Sequence, residues 1–149
     1  MTHLDDVAVV CLAELSATPV RARLLDAHDR FWDTDTRALH HPLWFHQFGG
    51  FGALARTADG EDVGYLLGVV TADRLAYLHL LAVRDDRRRS GLGRLLCRWF
   101  DELARSTGTR VVQAVTRPGN DPPWRSMPRW GRARTYRGTT PVRTTTASS

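Results

Sequence analysis

The stretch Arg88-Arg89-Ser90-Gly91-Leu92-Gly93 carries the most specific chemistry in the chain. Glycine lets a backbone approach an anion closely and take positive φ, and arginine supplies charge. An apolar helical pattern begins at once, and a helix start presents its first-turn N–H groups and the positive end of its dipole to whatever lies in front. Together these features describe a phosphate cradle. Two common cradles are excluded. A P-loop ends in Gly-Lys-Ser/Thr, and all 21 basic residues of this chain are Arg. A dinucleotide fingerprint needs a third glycine, and Leu96 stands in its place.

Acid–base candidates lie just upstream. Tyr77 and His79 alternate onto one face of the apolar run 74–83. His79 reads either as a general base or as a strand histidine whose hydrogen bonds are satisfied by the fold. His40, His41 and His46 are close in sequence, but no Cys or carboxylate completes a familiar ligand spacing, so no metal is expected. Asp33 and Asp35 either attract a cationic amine or cap a turn. Trp32, Trp44, Phe45 and Phe48 line a cleft or fill the core.

The elements that must position these residues follow from periodicity. Residues 5–15 (DDVAVVCLAEL) fit a first helix, and residues 18–32 a second after Pro19. Residues 33–50 read as a loop with a short helix. Residues 51–57 and 62–71 form a hairpin whose Asp-Gly turn supplies the required backbone angles. Residues 74–83 are apolar almost throughout, as in a buried strand. Leu92, Leu95, Leu96, Trp99, Phe100 and Leu103 then repeat on one helical face within 91–106, with Gly108 as the stop. Residues 109–116 are a further strand, so 74–116 is a β-α-β unit with parallel strands.

Taken together, YLHLLAVRDDRRRSGLGRLL resembles the acyl-CoA-binding motif of the GNAT family of N-acetyltransferases, with its Arg/Gln-x-x-Gly-x-Gly/Ala signature. The resemblance covers residues 5–121, including a hairpin that ends in GYLLG and a PGN after the last strand. It implies an α+β fold of the GNAT acyl-CoA N-acyltransferase type: a mixed, mostly antiparallel sheet flanked by helices, with a β-α-β coenzyme A-binding core. It implies acetyl-CoA as co-substrate, no metal, and a small-molecule or peptide amine as acceptor. The backbone of residues 88–94 (Arg88, Arg89, Ser90, Gly91, Leu92, Gly93 and Arg94) would cradle the pyrophosphate. Leu81, Ala82 and Val83 would offer main-chain groups to the pantetheine arm, which pairs like a strand where strands 74–83 and 109–116 splay. The Val83 N–H would hold the developing oxyanion, and Asn120 would reach the pantetheine from the other side. An alkyl amine has a pKa near ~10 and must lose a proton, with His79 as base and Tyr77 beside it. Members of this family often form homodimers.

Composition limits the alternatives. The chain has 149 residues and a formal charge of +5, which by itself suggests a polyanion partner. The distribution argues otherwise. Residues 1–121 hold 15 Arg against 16 acids, a net of −1, while residues 122–149 hold six Arg (125, 129, 132, 134, 137, 143) and no acid. No nucleic acid is therefore expected at the body of the protein, and a basic nucleic-acid-binding module is the distant alternative. No apolar run approaches the ~18 residues of a membrane span, and no signal-peptide pattern opens the chain. Cys11 and Cys97 read as reduced core residues. The expected setting is cytoplasmic, away from membranes. A closer alternative is a non-catalytic acyl-CoA-binding protein on the same fold.

The domain boundary falls at 121. After PGN the family has a helix of the type AVAFHAALGF; this chain reads DPPWRSMPRWG, with Pro122, Pro123 and Pro128 breaking any helix. Back-translated with suitable synonymous codons, Asp121–Gly131 becomes DPAVAFHAALG on insertion of one G after the second codon. The expectation is that residues from about 123 onward come from a shifted frame, that 122–149 form a disordered or non-native tail, and that the family domain is incomplete at its C-terminal end. Strand 109–116 is then expected to lose a neighbour.

Overall fold

A computed structural model describes residues 4–109 and 111–116, with the backbone of two further segments, 134–137 and 140–141. Among these residues the strands are β1 (Val7–Cys11), β2 (Ala53–Thr57), β3 (Asp62–Val70), β4 (Leu75–Val83), β5 (Val111–Thr116), β6 (Arg134–Arg137) and β7 (Thr140–Pro141), and the longer helices are α1 (Ala17–Asp26), α2 (His28–Phe31) and α3 (Leu92–Ser106). The strands lie side by side in chain order. β1 to β4 are antiparallel neighbours, β5 is parallel to β4, and β6 pairs in parallel with Val115 and Thr116 at the end of β5.

The sheet separates two cores. On one face, α3 lays Leu92, Leu96, Cys97, Phe100 and Ala104 against Ala55, Val63, Leu66, Ala76 and Leu78. Glycine makes this packing close: a Cβ on Gly68 would sit 2.7 Å from Phe100 Cε1 and 2.9 Å from the Tyr77 carbonyl. On the other face, α1 and α2 bring Val20, Leu24 and Phe31 to Leu54, Tyr65, Leu67, Leu80 and Ala82.

The hairpin, the buried strand, the helix after the glycines and the parallel β4–β5 pair form where periodicity placed them. The segment 5–15 corrects the expectation of a first helix. Val7–Cys11 is a strand, paired in register from Val7↔Thr57 to Cys11↔Ala53, followed by a single 3-10 turn at Leu12–Glu14. Its apolar residues fit both periods. The β-branched Val7, Val9 and Val10 suit a pleated surface, and an edge of β2 was there to be covered. The second helix breaks at Ala27, whose φ of −93° and ψ of 14° part α1 from α2. The loop 33–50 carries 3-10 turns at Arg37–Leu39, Pro42–Trp44 and, at its end, Gly49–Phe51. Backbone at Arg134–Arg137 lies beside β5 where a free edge was expected; apart from Thr140–Pro141, the rest of the tail lies outside the described residues. Cys11 and Cys97 are both free thiols, and burial pushes the Cys97 thiol up to about 12.

Candidate active site

The site is built around a change of phase in β4. Leu78 is opposite Gly68 and Leu80 is opposite Leu67, which leaves His79 as one extra residue, a β-bulge. The bulge exchanges the two faces of the strand. Ala76 and Leu78 pack on the α3 side, whereas beyond His79 it is Leu81 and Val83 that pack there, and Leu80 and Ala82 join the opposite core.

The same point is where β4 and β5 part. Their register runs from Leu75↔Val111 to Leu78↔Ala114 and stops. Val115 and Thr116 pair on their other side with Arg134 and Thr135. β4 continues five residues beyond the last pair, a length of about 16 Å at ~3.3 Å per residue. The Arg84 N–H donates to the Val63 carbonyl at 2.9 Å, so alternation aims the main chain of Ala82 toward β3 and that of Leu81 and Val83 away from it, into the parting.

At the far end of this notch lies the glycine loop. Arg89 and Gly91 both have positive φ, +60° and +85°, and Gly91 is the N-cap of α3. Alternating backbone hands of this kind turn N–H groups inward and make an anion-binding concavity. Ser90 holds the turn: its hydroxyl donates to the Arg87 carbonyl, and the Leu92 N–H reaches its Oγ at 3.4 Å. The Leu92 side chain is buried in the α3 core, so only its main chain belongs to the loop, and Gly93 and Arg94 complete the first turn of α3.

The arginines divide into two groups. Arg84 is committed to Asp86, at 2.6 and 2.9 Å, and to Glu61 at 3.4 Å; its bonds to Asp86 hold that carboxyl below the usual range. Arg87 pairs with Asp6 at 2.9 Å. Arg88, Arg89 and Arg94 are exposed around the helix start. Arg88 Nη2 donates to the Phe31 carbonyl at 3.1 Å, which ties the loop to the end of α2. Arg30 on α2 completes that tie, 3.0 Å from Asp85 and 3.5 Å from Asp86.

His79 faces away from α3. Its ring stacks on Trp44 with centroids 4.0 Å apart and planes 6° from parallel. Tyr77 stands 6.2 Å from it, and Phe48 is 5.4 Å from Trp44. His79 Nε2 lies 2.8 Å from the Leu39 carbonyl. A carbonyl only accepts, so Nε2 carries the proton and Nδ1 keeps its lone pair. Nδ1 has no hydrogen-bond partner among the described residues. Burial holds the ring's pKa below its ordinary value against the opposing pull of the Leu39 bond, so the imidazole is neutral at pH 7.

The fold, the bulged and parted strand and the loop before α3 meet a sequence finding. The profile of the Acetyltransferase (GNAT) family matches residues 18–130. The chain belongs to the GNAT acetyltransferase family. Solved GNAT-fold neighbours are similar in backbone and distant in sequence. Ard1 from Thermoplasma volcanium superposes with a TM-score of 0.60 at 22% identity, over 78% of this chain and 75% of that one. Diaminobutyrate acetyltransferase EctA from Paenibacillus lautus, solved with L-2,4-diaminobutyric acid and coenzyme A, gives 0.58 at 17% identity, over 80% and 69%. N-acetylglutamate synthase from Neisseria gonorrhoeae, solved with coenzyme A and N-acetyl-glutamate, gives 0.55 at 18% identity over 74% of this chain, which spans only 25% of the synthase. No curated protein sequence matches the chain.

Against the sequence expectations, the main chain of Leu81 and Val83 lines the notch, His79 stands at its start and residues 88–94 at its end, while Tyr77 lies just before it where β4 and β5 are still paired. The Ala82 main chain turns toward β3, which corrects its expected place among the groups offered to the notch. Asn120 lies outside the described residues. Asp35 is occupied by the Arg37 backbone N–H at 3.1 Å and the Arg37 side chain at 3.4 Å, bonds that lower its carboxyl. Among the described residues no His, Cys, Asp and Glu cluster could hold a metal, and no helix is long and apolar enough to cross a membrane. Sequence reasoning missed Tyr65 and His28, both buried polar residues on the His79 side; the only signal was a Tyr inside an otherwise apolar strand.

Proposed function

We propose that this protein moves an acetyl group from acetyl-CoA to a primary amine by direct attack in a ternary complex. The observation that carries the reading is the parting of β4 from β5 at the His79 bulge, in line with the positive-φ loop that opens α3. Acetyl-CoA supplies a thioester carbon for attack. The loop 88–94 and the exposed Arg88, Arg89 and Arg94 suit its pyrophosphate. The main-chain groups of Leu81 and Val83, turned away from β3, suit its amide-bearing arm. The Val83 N–H is the donor for the oxygen on which charge develops, and His79 Nδ1 takes the proton of the incoming amine. The neutral state of His79 supports that role, because a protonated ring accepts nothing.

Thiol release from acetyl-CoA with a panel of amines tests the reading. His79→Gln is expected to lower kcat by about 10²-fold, at the low end of what a positioned base contributes, with KM for acetyl-CoA unchanged. A variant as fast as the parent removes His79 from the chemistry. The packing of His79 on Trp44 also suits a second reading, a non-catalytic acyl-CoA-binding protein; saturable acetyl-CoA binding with no thiol release for any amine selects it.

We propose further that residues from about 123 onward are out of frame, which predicts weak turnover for this chain and faster turnover for one restored by a single-base insertion near codon 123. Independent resequencing that confirms the present frame, together with equal or greater activity of this chain, overturns that proposal.

A further inference from the structure

The carbonyl that fixes His79 sits on a turn with no core of its own. Leu39 ends the 3-10 turn Arg37–Leu39, which has no buried residue, and its own side chain is 38% exposed. The residues that flank the turn are buried and polar: Thr36 before it and His40 after it. His40 Nδ1 is 2.8 Å from the Thr36 carbonyl, and His40 Nε2 is 2.7 Å from the Tyr65 hydroxyl. Trp32 Nε1 donates to the same hydroxyl at 2.7 Å.

This chain of hydrogen bonds has one possible polarity. An indole N–H only donates and a carbonyl only accepts. Tyr65 oxygen therefore accepts from Trp32 and passes its own proton toward His40 Nε2, and His40 donates from Nδ1 to Thr36. Thr36 is held in turn by His28, whose Nε2 accepts from the Thr36 N–H at 3.1 Å and lies 2.9 Å from its hydroxyl. Arg21 Nε, from α1, donates to the His40 carbonyl at 2.7 Å. The turn that carries Leu39 is thus pinned to β3, α1 and α2 by polar contacts, and the Leu39 carbonyl is the group at which His79 is held.

We propose that Tyr65 and His40 are positioning residues for His79: the Trp32–Tyr65–His40–Thr36 chain locks the Leu39 carbonyl in place, and that carbonyl selects the His79 tautomer with its lone pair on Nδ1. The importance of the tautomer rests on the reading of His79 as the base, but the locking itself does not. The titratable and charged groups around His40 are Tyr65, His28, His79 and Arg21. None is a carboxylate.

The test uses the full chain and long-range proton–nitrogen NMR of the imidazole rings, which reads each tautomer without any need for turnover. In the parent, His79 is expected as the Nε2–H form and His40 as the Nδ1–H form. Tyr65→Phe removes the hydroxyl between Trp32 and His40, and His79 is expected to pass to a mixture of tautomers. Phe31→Leu, which alters the packing against the Tyr65 ring but removes no hydrogen bond of the chain, is expected to leave the His79 signal as in the parent. Trp32→Phe, which removes only the outer donor, serves if Tyr65→Phe does not fold and is expected to give the same change in smaller measure. An unchanged His79 tautomer in Tyr65→Phe, or in Trp32→Phe where that variant serves, overturns the proposal, as does an equal change in Phe31→Leu. If His79→Gln retains full activity while the tautomer shift is seen, the base assignment fails and the positioning stands.

Discussion

The two faces of the sheet are built by different means. On the α3 face, order comes from shape: a stripe of Leu92, Leu96 and Phe100 meets strands whose Gly64 and Gly68 leave room only for those side chains. On the opposite face, three buried polar residues (His28, Thr36 and His40) and Tyr65 share space with Leu, Val and Phe, and short turns add to α1 and α2. Apolar packing seats α3, and the bonds of Ser90 and Arg88 hold the loop that opens it. Setting one imidazole tautomer requires directional bonds, and the Trp32–Tyr65–His40–Thr36 chain supplies them on the His79 side.

The sharpest break of this contrast is Phe100→Ala. Phe100 is fully buried against Gly68, and its loss is expected to cost about 3–5 kcal/mol in denaturant unfolding. Tyr65→Phe, on the polar face, changes the shape little and leaves a buried donor and a buried acceptor unpaired; about 1–3 kcal/mol is expected. If the two losses come out equal, the faces are not held by different forces.

The polar face also predicts a pH dependence between pH 7 and pH 5. Burial lowers the pKa of His40 and of His79 from 6.5 in the native state. A lowered histidine binds its proton more readily when unfolded, so stability is full above pH 6.5 and is lost as pH falls through that value toward the native pKa values. His40→Gln is expected to flatten part of that slope in unfolding curves measured between pH 7 and pH 5.

Smaller effects sharpen the comparison within the loop that opens α3. Gly91→Ala places a Cβ at a φ of +85° and is expected to cost about 1–2 kcal/mol and to raise KM for acetyl-CoA. The Arg87–Asp6 pair is partly exposed, so Arg87→Ala is expected to change stability by about 1 kcal/mol at most, with little change in KM; a large rise in KM would place Arg87 in the phosphate site.

The α3 side was readable in the sequence because one repeat carries it: six apolar residues on one helical face, opened by Gly91 and closed by Gly108. β1 was not, because an apolar run with three valines fits either period until a partner strand is present. The bulge at His79 leaves no trace in LAYLHLLAV, since a nearly continuous apolar run looks the same before and after a change of phase. The polar chain joins residues 25 and 33 positions apart, and nothing local in a sequence marks such pairs. Tyr77 and His79 could be placed on one face, but the partner that sets the His79 proton, a carbonyl from a distant turn, has no side-chain signature.

Equilibrium binding of acetyl-CoA to the full chain and to Gly91→Val tests the central claim most directly, since the β-branched side chain blocks the loop at a positive φ while leaving the notch and His79 untouched. Saturable binding that weakens at least about tenfold in the variant, a difference of ~1.4 kcal/mol, is the predicted result. Binding of equal strength to both chains, or to neither, contradicts it.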